Sequence, residues 1–327
     1  LKVTVLTGSD NARERTQKLF SISSGKAKVV IGTHSLFQKK VHFNNLRLAV
    51  IDEQHKFGVM QRFKLEKKGD VNSIIMSATP IPRSLALTVF GDRDLTIIKE
   101  KPKNRLGIET LVIPRKKIKR LLHKLGEQMS KGQQVYWVCP LIEEAENIPL
   151  SNSNDRFAYL KKEFGEFKVG HIHGQMSSED KECELKKYKD REVDILVSTT
   201  VIEVGIDNPN ATVIVIENAN RFGLSQLHQL RGRVGRGSEK SYCFLMYDGN
   251  LSDQAIQRLK TMRETQDGFE IAERDMVLRG SGDLLGTMQS GHKIFKLSEA
   301  MEEPGLFLEA NKLVQDTETL ASKQKQK

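Results

Sequence analysis

Cysteine is scarce in this sequence. The three present, Cys139, Cys183 and Cys243, are isolated and odd in number, which argues against a disulfide framework and against a CxxC metal site. A reducing, cytoplasmic compartment is the corresponding expectation. Long apolar runs are absent: none approaches the ~20 residues that a membrane span requires, so no membrane is expected among the partners. Acidic residues fall short of basic ones, 42 against 52, which leaves a formal net charge of +10. That balance favours a polyanionic partner, nucleic acid ahead of a membrane surface. Repeats of solenoid length are lacking. Leu1 stands where a methionine would, and LKVTVLTGSDN opens on a strand pattern without the charged-then-apolar order of a signal peptide; a piece of something longer is expected. What is present is an ordinary globular composition, 38% apolar with 24 glycines over 327 residues. It excludes a largely disordered chain, a collagen-like fibre and a disulfide-stapled miniprotein, and leaves room for two domains and an extension.

Short β-branched runs alternate with amphipathic stretches. They fall at 3–6, 28–31, 48–51 and 73–76, and then at 134–138, 169–172, 193–197, 213–216 and 242–245. Continuous apolar strands between helical segments predict parallel sheets buried on both faces, and two such series predict two α/β layers. The charged stretch 99–105, with Pro102, predicts a linker, and the polar stretch 143–155 a surface loop. From about Ala255 helical spacing with glycine punctuation takes over. The expected division is 1–103, 104–250 and 251–327.

Chemistry concentrates at strand ends. Leu48-Ala49-Val50-Ile51 runs directly into Asp52-Glu53-Gln54-His55, and the C-terminal edge of a parallel sheet is where ligands bind. Adjacent acids can divide two tasks, one holding Mg²⁺ through water and the other orienting the attacking water of phosphoryl transfer; a strand followed by a charged turn is the plainer alternative. Ser77-Ala78-Thr79-Pro80 ends another apolar strand in the same way. In Gln229-Leu230-Arg231-Gly232-Arg233-Val234-Gly235-Arg236-Gly237, arginines three apart suit phosphate recognition; a basic loop for RNA or DNA is the alternative.

Taken in order, these strings resemble the superfamily 2 helicases and translocases, whose ATP lies between two RecA-like domains. Ile31-Gly32-Thr33-His34-Ser35 and 198–207 fit the same pattern. Three strings, 52–59, 78–83 and 221–228, resemble the RecG family more narrowly. So does the stretch from Asp267 to Gly291, which contains Leu278-Arg279-Gly280-Ser281-Gly282-Asp283 and is similar to the TRG motif shared by RecG and Mfd proteins. His55 favours RecG over Mfd.

The resemblance implies a specific fold and function. The fold is α/β, with two RecA-like parallel-sheet domains, the first truncated at its amino end, and a helical carboxy-terminal TRG extension. The activity is that of an ATP- and Mg²⁺-dependent DNA translocase and helicase acting on stalled forks and Holliday junctions. Asp52 would hold Mg²⁺ and Glu53 the hydrolytic water. Arg233 and Arg236 would reach the γ-phosphate, and Gly205, Asp207 and Gln229 would lie on the nucleotide side. Thr33, His34 and Thr200 would touch the DNA backbone. Gln54, His55, Ser77 and Thr79 would relay nucleotide state, and Arg274, Arg279 and Gln289 would belong to the TRG lever. Branched DNA and a single-stranded DNA-binding protein are the expected partners, and the protein is expected to be monomeric.

The GxxxxGK[ST] loop of this family is expected upstream of Leu1 with the wedge domain. Gly25-Lys26 is no substitute, because Phe20 and Ala27 occupy the glycine and hydroxyl places. This chain by itself is therefore expected to hydrolyse ATP negligibly. Two other functions stand beside this one: Mfd-like translocation along duplex DNA and, for the chain alone, a non-catalytic DNA-binding module.

Three further signals have structural explanations. His171 and His173 precede the loop Gly174-Gln175-Met176, which reads as a helicase loop after a strand rather than a metal site, since no Cys or third His lies nearby. The basic run 115–120 is predicted to be the solvated face of an amphipathic helix, since Ile118, Leu121, Leu122 and Leu125 share one side. Tyr136 and Trp137 are expected in the core.

Overall fold

The computed structural model describes residues 1–8, 10–53, 71–77, 96–98, 100, 105–140, 153–199, 208–279 and 313. The chain divides into two compact units, Leu1–Ala78 and Thr79–Lys327.

In the first unit, Val3–Leu6 (β1) pairs in parallel with Val29–Gly32 (β2), and Leu48–Ile51 (β3) with Asn72–Ile75 (β4). Helix α1, Ala12–Ser23, connects the first pair. Its start is fixed by Asn11, whose side chain accepts the Glu14 N–H at 2.9 Å. Leu6, Ile22 and Val41 form one small core, and Ala49 with Ile51 another. The strands alternate sharply. Thr4 and Leu6 are buried, whereas Val3, Val5, Ile31, Leu48, Val50 and Ile74 stand about half exposed on the opposite parity. Burial on both faces is therefore not reached here: among the described residues, one face of each strand pair presents apolar side chains to solvent.

The second unit is built on a six-stranded, all-parallel sheet. Its strands are β5 (Ile108–Pro114), β6 (Gln134–Val138), β7 (Val169–Ile172), β8 (Ile195–Ser198), β9 (Ala211–Ile216) and β10 (Ser241–Tyr247). The order across the sheet is β5-β10-β9-β6-β8-β7. Here both faces are covered. Val135, Trp137, Val213 and Val215 point into one core with Leu121, Leu122, Leu125 and Met129 of helix α2 (Ile118–Met129) and Leu160 of α3 (Ser153–Glu163). Tyr136, Val138, Ile214 and Ile216 point into the other, with Tyr188 of α4 (Ser178–Lys189) and three leucines of α5 (Leu224–Arg231). Two further helices, α6 (Asp253–Glu264) and α7 (Gly268–Arg279), contribute Leu259, Met262 and Ile271 to this second core.

The observed strands match the expected ones to within a residue or two, with one addition. β5 lies in a segment where no strand was expected. Its sequence IETLVIP ends in proline, it is an edge strand bonded to β10 alone, and it is only partly buried. The basic run opens as a single 3-10 turn, and α2 then buries its leucines and leaves Lys119, Arg120 and Lys124 exposed. Ser153 to Asp155, expected in a loop, begin α3; residues 141–152 lie outside the described residues, as does most of the expected linker. Among the described residues no helix is long and apolar enough to cross a membrane.

Candidate nucleotide and DNA site

Parallel pairing sets the geometry of the first unit's strand ends. Ile51 pairs with Ile75, and the Met76 N–H donates to the Ile51 carbonyl at 2.8 Å. The chain therefore leaves the sheet together at Asp52-Glu53 and at Met76-Ser77, and the acid pair and the serine share one C-terminal edge. Asp52 is exposed, and its Oδ1 accepts the Glu53 N–H at 2.9 Å. Glu53 sits at φ 52°, the left-handed region that a non-glycine residue occupies at a cost and that recurs at functional turns.

Thr33 and His34 stand in the same relation to the other strand pair. They follow Gly32, which pairs with Leu6, and both are exposed. The turn is anchored from beneath by Ser35, whose buried Oγ donates to the Leu6 carbonyl at 2.8 Å. Beside it, Thr7 and Lys18 bond Asp10, at 2.7 Å from each side chain, and hold its carboxyl down at about 2. Gly25-Lys26 lies just past the C-terminal end of α1, with Gly25 at φ +69°. That is the carbonyl end of the helix dipole and is unsuited to phosphate.

In the second unit, α5 ends at Arg231 and continues into the glycine-punctuated arginine loop. Gln229, Arg233 and Arg236 are each partly exposed, and Arg236 Nε donates weakly to the Gly232 carbonyl at 3.4 Å. Gly235 between them is at φ +76°, and a Cβ there would stand 2.8 Å from Ile108 Cγ1. Both facts require glycine. Arg231 differs from its neighbours. It is buried and donates to the Met262 and Thr265 carbonyls at 2.8 and 2.9 Å, and burial lowers its pKa.

A second buried charge lies at the end of β9. The Glu217 carboxylate is paired with Arg156 of α3: Arg156 Nε meets Oε1, and Nη2 meets Oε2 at 3.0 Å. Trp137 Nε1 also donates to Oε1, at 2.5 Å. Desolvation, with the Glu217 charge adding to it, pushes the nearby Cys139 thiol well up, so the residue is a core thiol.

Arg274 on α7 is a surface group bonded to Glu264 at 3.0 Å and Glu270 at 2.6 Å, and Arg279 is the last residue of that helix. His171 stacks on Phe157 at 5.1 Å, 5.0 Å from His173. Gln54, His55, Thr79, Thr200, Gly205, Asp207 and Gln289 lie outside the described residues. Sequence reasoning passed over Glu217, Arg156 and Arg231, although two of them carried a signal. Glu217 ends an apolar strand just as Asp52 does, and Arg231 occupies the i+7 position of the stripe begun by Leu224 and Leu227.

Three family models match. "DEAD/DEAH box helicase" covers residues 1–88, "Helicase conserved C-terminal domain" 116–238, and "ATP-dependent DNA helicase RecG, domain 3, C-terminal" 265–316. The curated ATP-dependent DNA helicase RecG of Synechocystis sp. is 47% identical over 310 residues, 94% of this chain and 37% of that protein. The RecG of Thermotoga maritima is 44% identical over 318 residues, 97% of this chain and 41% of that protein. The chain resembles RecG helicases over nearly its whole length. Its fold agrees: a solved structure of RecG bound to a three-way DNA junction superposes with a TM-score of 0.68 at 40% identity, covering 94% of this chain and 40% of that one. The chain thus spans about two fifths of the length of these RecG relatives. The strand pairs of the first unit and the six-stranded sheet of the second correspond to RecA-like domains, and α6–α7 to the helical extension. The domain 3 match begins at Thr265, between those two helices.

Proposed function

We propose that the whole protein, of the length its relatives have, is an ATP-dependent DNA helicase that remodels branched DNA, and that this chain carries much of its motor. The observation that carries the reading is the placement of Asp52, Glu53 and Ser77 together at one strand edge, as the resemblance requires of groups that handle a metal-bound triphosphate. The solved RecG with a three-way junction supports branched DNA as the substrate class.

The donor chemistry fits the implied cofactor. Asp52 is an exposed carboxylate at a sheet edge, and Mg²⁺ takes oxygen ligands while keeping several waters. With ATP bound, Mg²⁺ neutralises developing charge on the phosphates. Asp52 would hold the ion, and Glu53, with its backbone turned by the Asp52 hydrogen bond, would orient the attacking water. Arg233 and Arg236 stabilise the transferring γ-phosphoryl group, and Gln229, Gly205 and Asp207 complete the nucleotide side. Thr33, His34 and Thr200 hold DNA phosphates, which carry no sequence information. Gln54, His55, Ser77 and Thr79 pass the nucleotide state to the DNA grip, and Arg274, Arg279 and Gln289 pass it to the extension. A single-stranded DNA-binding protein is the accessory partner proposed, and the cytoplasm is the compartment.

Strand separation is the discriminating test. The whole protein should unwind a synthetic fork with ATP and Mg²⁺. Translocation along duplex without fork unwinding would instead support the Mfd-like reading. The 327-residue chain alone should bind DNA weakly, with affinity falling steeply in added salt.

A further inference from the structure

The helix that leads into the arginine loop is held at both ends by the extension. At its start, Ser225 Oγ donates to Oδ2 of the buried Asp275 on α7, at 3.1 Å. At its end, Arg231 is 2% exposed and spans three elements. Its Nη1 meets the carbonyls of Met262 and Thr265, which close α6, and lies 3.5 Å from Thr110 Oγ1 on β5; its Nη2 lies 3.2 Å from His228 Nδ1. The last carbonyls of a helix lack intrahelical partners and carry partial negative charge, so they can satisfy a guanidinium withdrawn from water. Without them the burial would be costly.

The next residue of that turn completes the arrangement. Gln266 pairs with both backbone groups of Ile108 as a neighbouring strand would: the Ile108 N–H donates to Oε1 at 3.2 Å, and Nε2 donates to the Ile108 carbonyl at 3.0 Å. The Ile108 side chain is the one lying against Gly235. The loop that spaces Arg233 from Arg236 therefore rests on a residue whose backbone is clamped from the α6–α7 turn.

We propose that Arg231 and Gln266 are positioning residues for ATP hydrolysis. Through them the turn at 265–266 sets where Arg233 and Arg236 sit. The inference rests on Arg233 and Arg236 acting at the γ-phosphate and adds the groups that aim them.

The test uses the whole protein with two variants. Q266L removes both amide hydrogen bonds at an exposed side chain. R231K keeps the charge but loses the fork by which Nη1 meets the Met262 and Thr265 carbonyls while Nη2 lies at His228. Each should lower kcat for DNA-stimulated ATP hydrolysis about tenfold while KM for ATP and DNA affinity stay within twofold. The double variant should be no slower than the slower single one, because both act on one path. Wild-type kcat in Q266L overturns the proposal, as does a shift in KM or DNA affinity as large as that in kcat, or two losses that multiply in the double variant. If R231K does not fold, Q266L decides alone. R236A separates the two readings: turnover surviving R236A removes the arginine assignment itself, whereas a dead R236A beside a wild-type Q266L removes only the positioning role.

Discussion

A carboxylate as fully buried as Glu217 is tolerated because Arg156 and Trp137 meet it. Removing one member of such a pair leaves the other charged, buried and alone, which costs about 3–5 kcal/mol, whereas replacing both with apolar groups of similar volume costs far less. R156M should therefore lower unfolding stability by that amount in chemical denaturation, and R156M/E217L should recover most of it; equal losses in the two proteins would refute the pairing. Gly235 is the other residue with little freedom. Alanine there meets Ile108 and an unfavourable φ together, and G235A should cost roughly 1–3 kcal/mol in the same measurement. His171 gives a pH signature. Burial, reinforced by His173, holds its ring below the ordinary value of 6.5, so the unfolded chain takes up the proton more readily than the folded one. The corresponding stability is complete above about pH 6.5 and is lost as pH falls from there toward the folded value. Denaturation midpoints of wild type and H171Q between pH 7.5 and 5.5 should show a steeper fall in the wild type.

Elements differ in how much of their placement a sequence discloses. Strands such as β6, β8 and β9 are legible because both of their faces are buried, so their apolar runs are continuous. β5 was not, because its stability comes from β10 on one side only and its sequence mixes Glu109, Thr110 and Pro114 among apolar residues. The acid pair, the serine and the arginine loop were legible because each follows a strand or helix end within a few residues. The group that braces the arginine loop was not, since the contact of Ile108 with Gln266 spans 158 positions, and neither was the buried charge at Glu217, whose contact with Trp137 spans 80. The extension illustrates the same point. Helical spacing announced α6 and α7, but only the fold places Ile271 in the core of the second sheet. I271A should accordingly destabilise the unit by roughly 2–5 kcal/mol, as a core truncation does; a surface-like loss below ~0.5 kcal/mol would mean that α7 is merely appended.

At the scale of the molecule, the described parts supply acids on one unit and guanidiniums on the other, and the proposed chemistry needs both at one triphosphate. DNA-stimulated ATP hydrolysis by the whole protein carrying R236A tests the central claim most directly. The account predicts turnover reduced by about 10³-fold or more, in the range found for a lost arginine finger, with DNA binding within twofold of wild type. Near-normal turnover in that variant would contradict it.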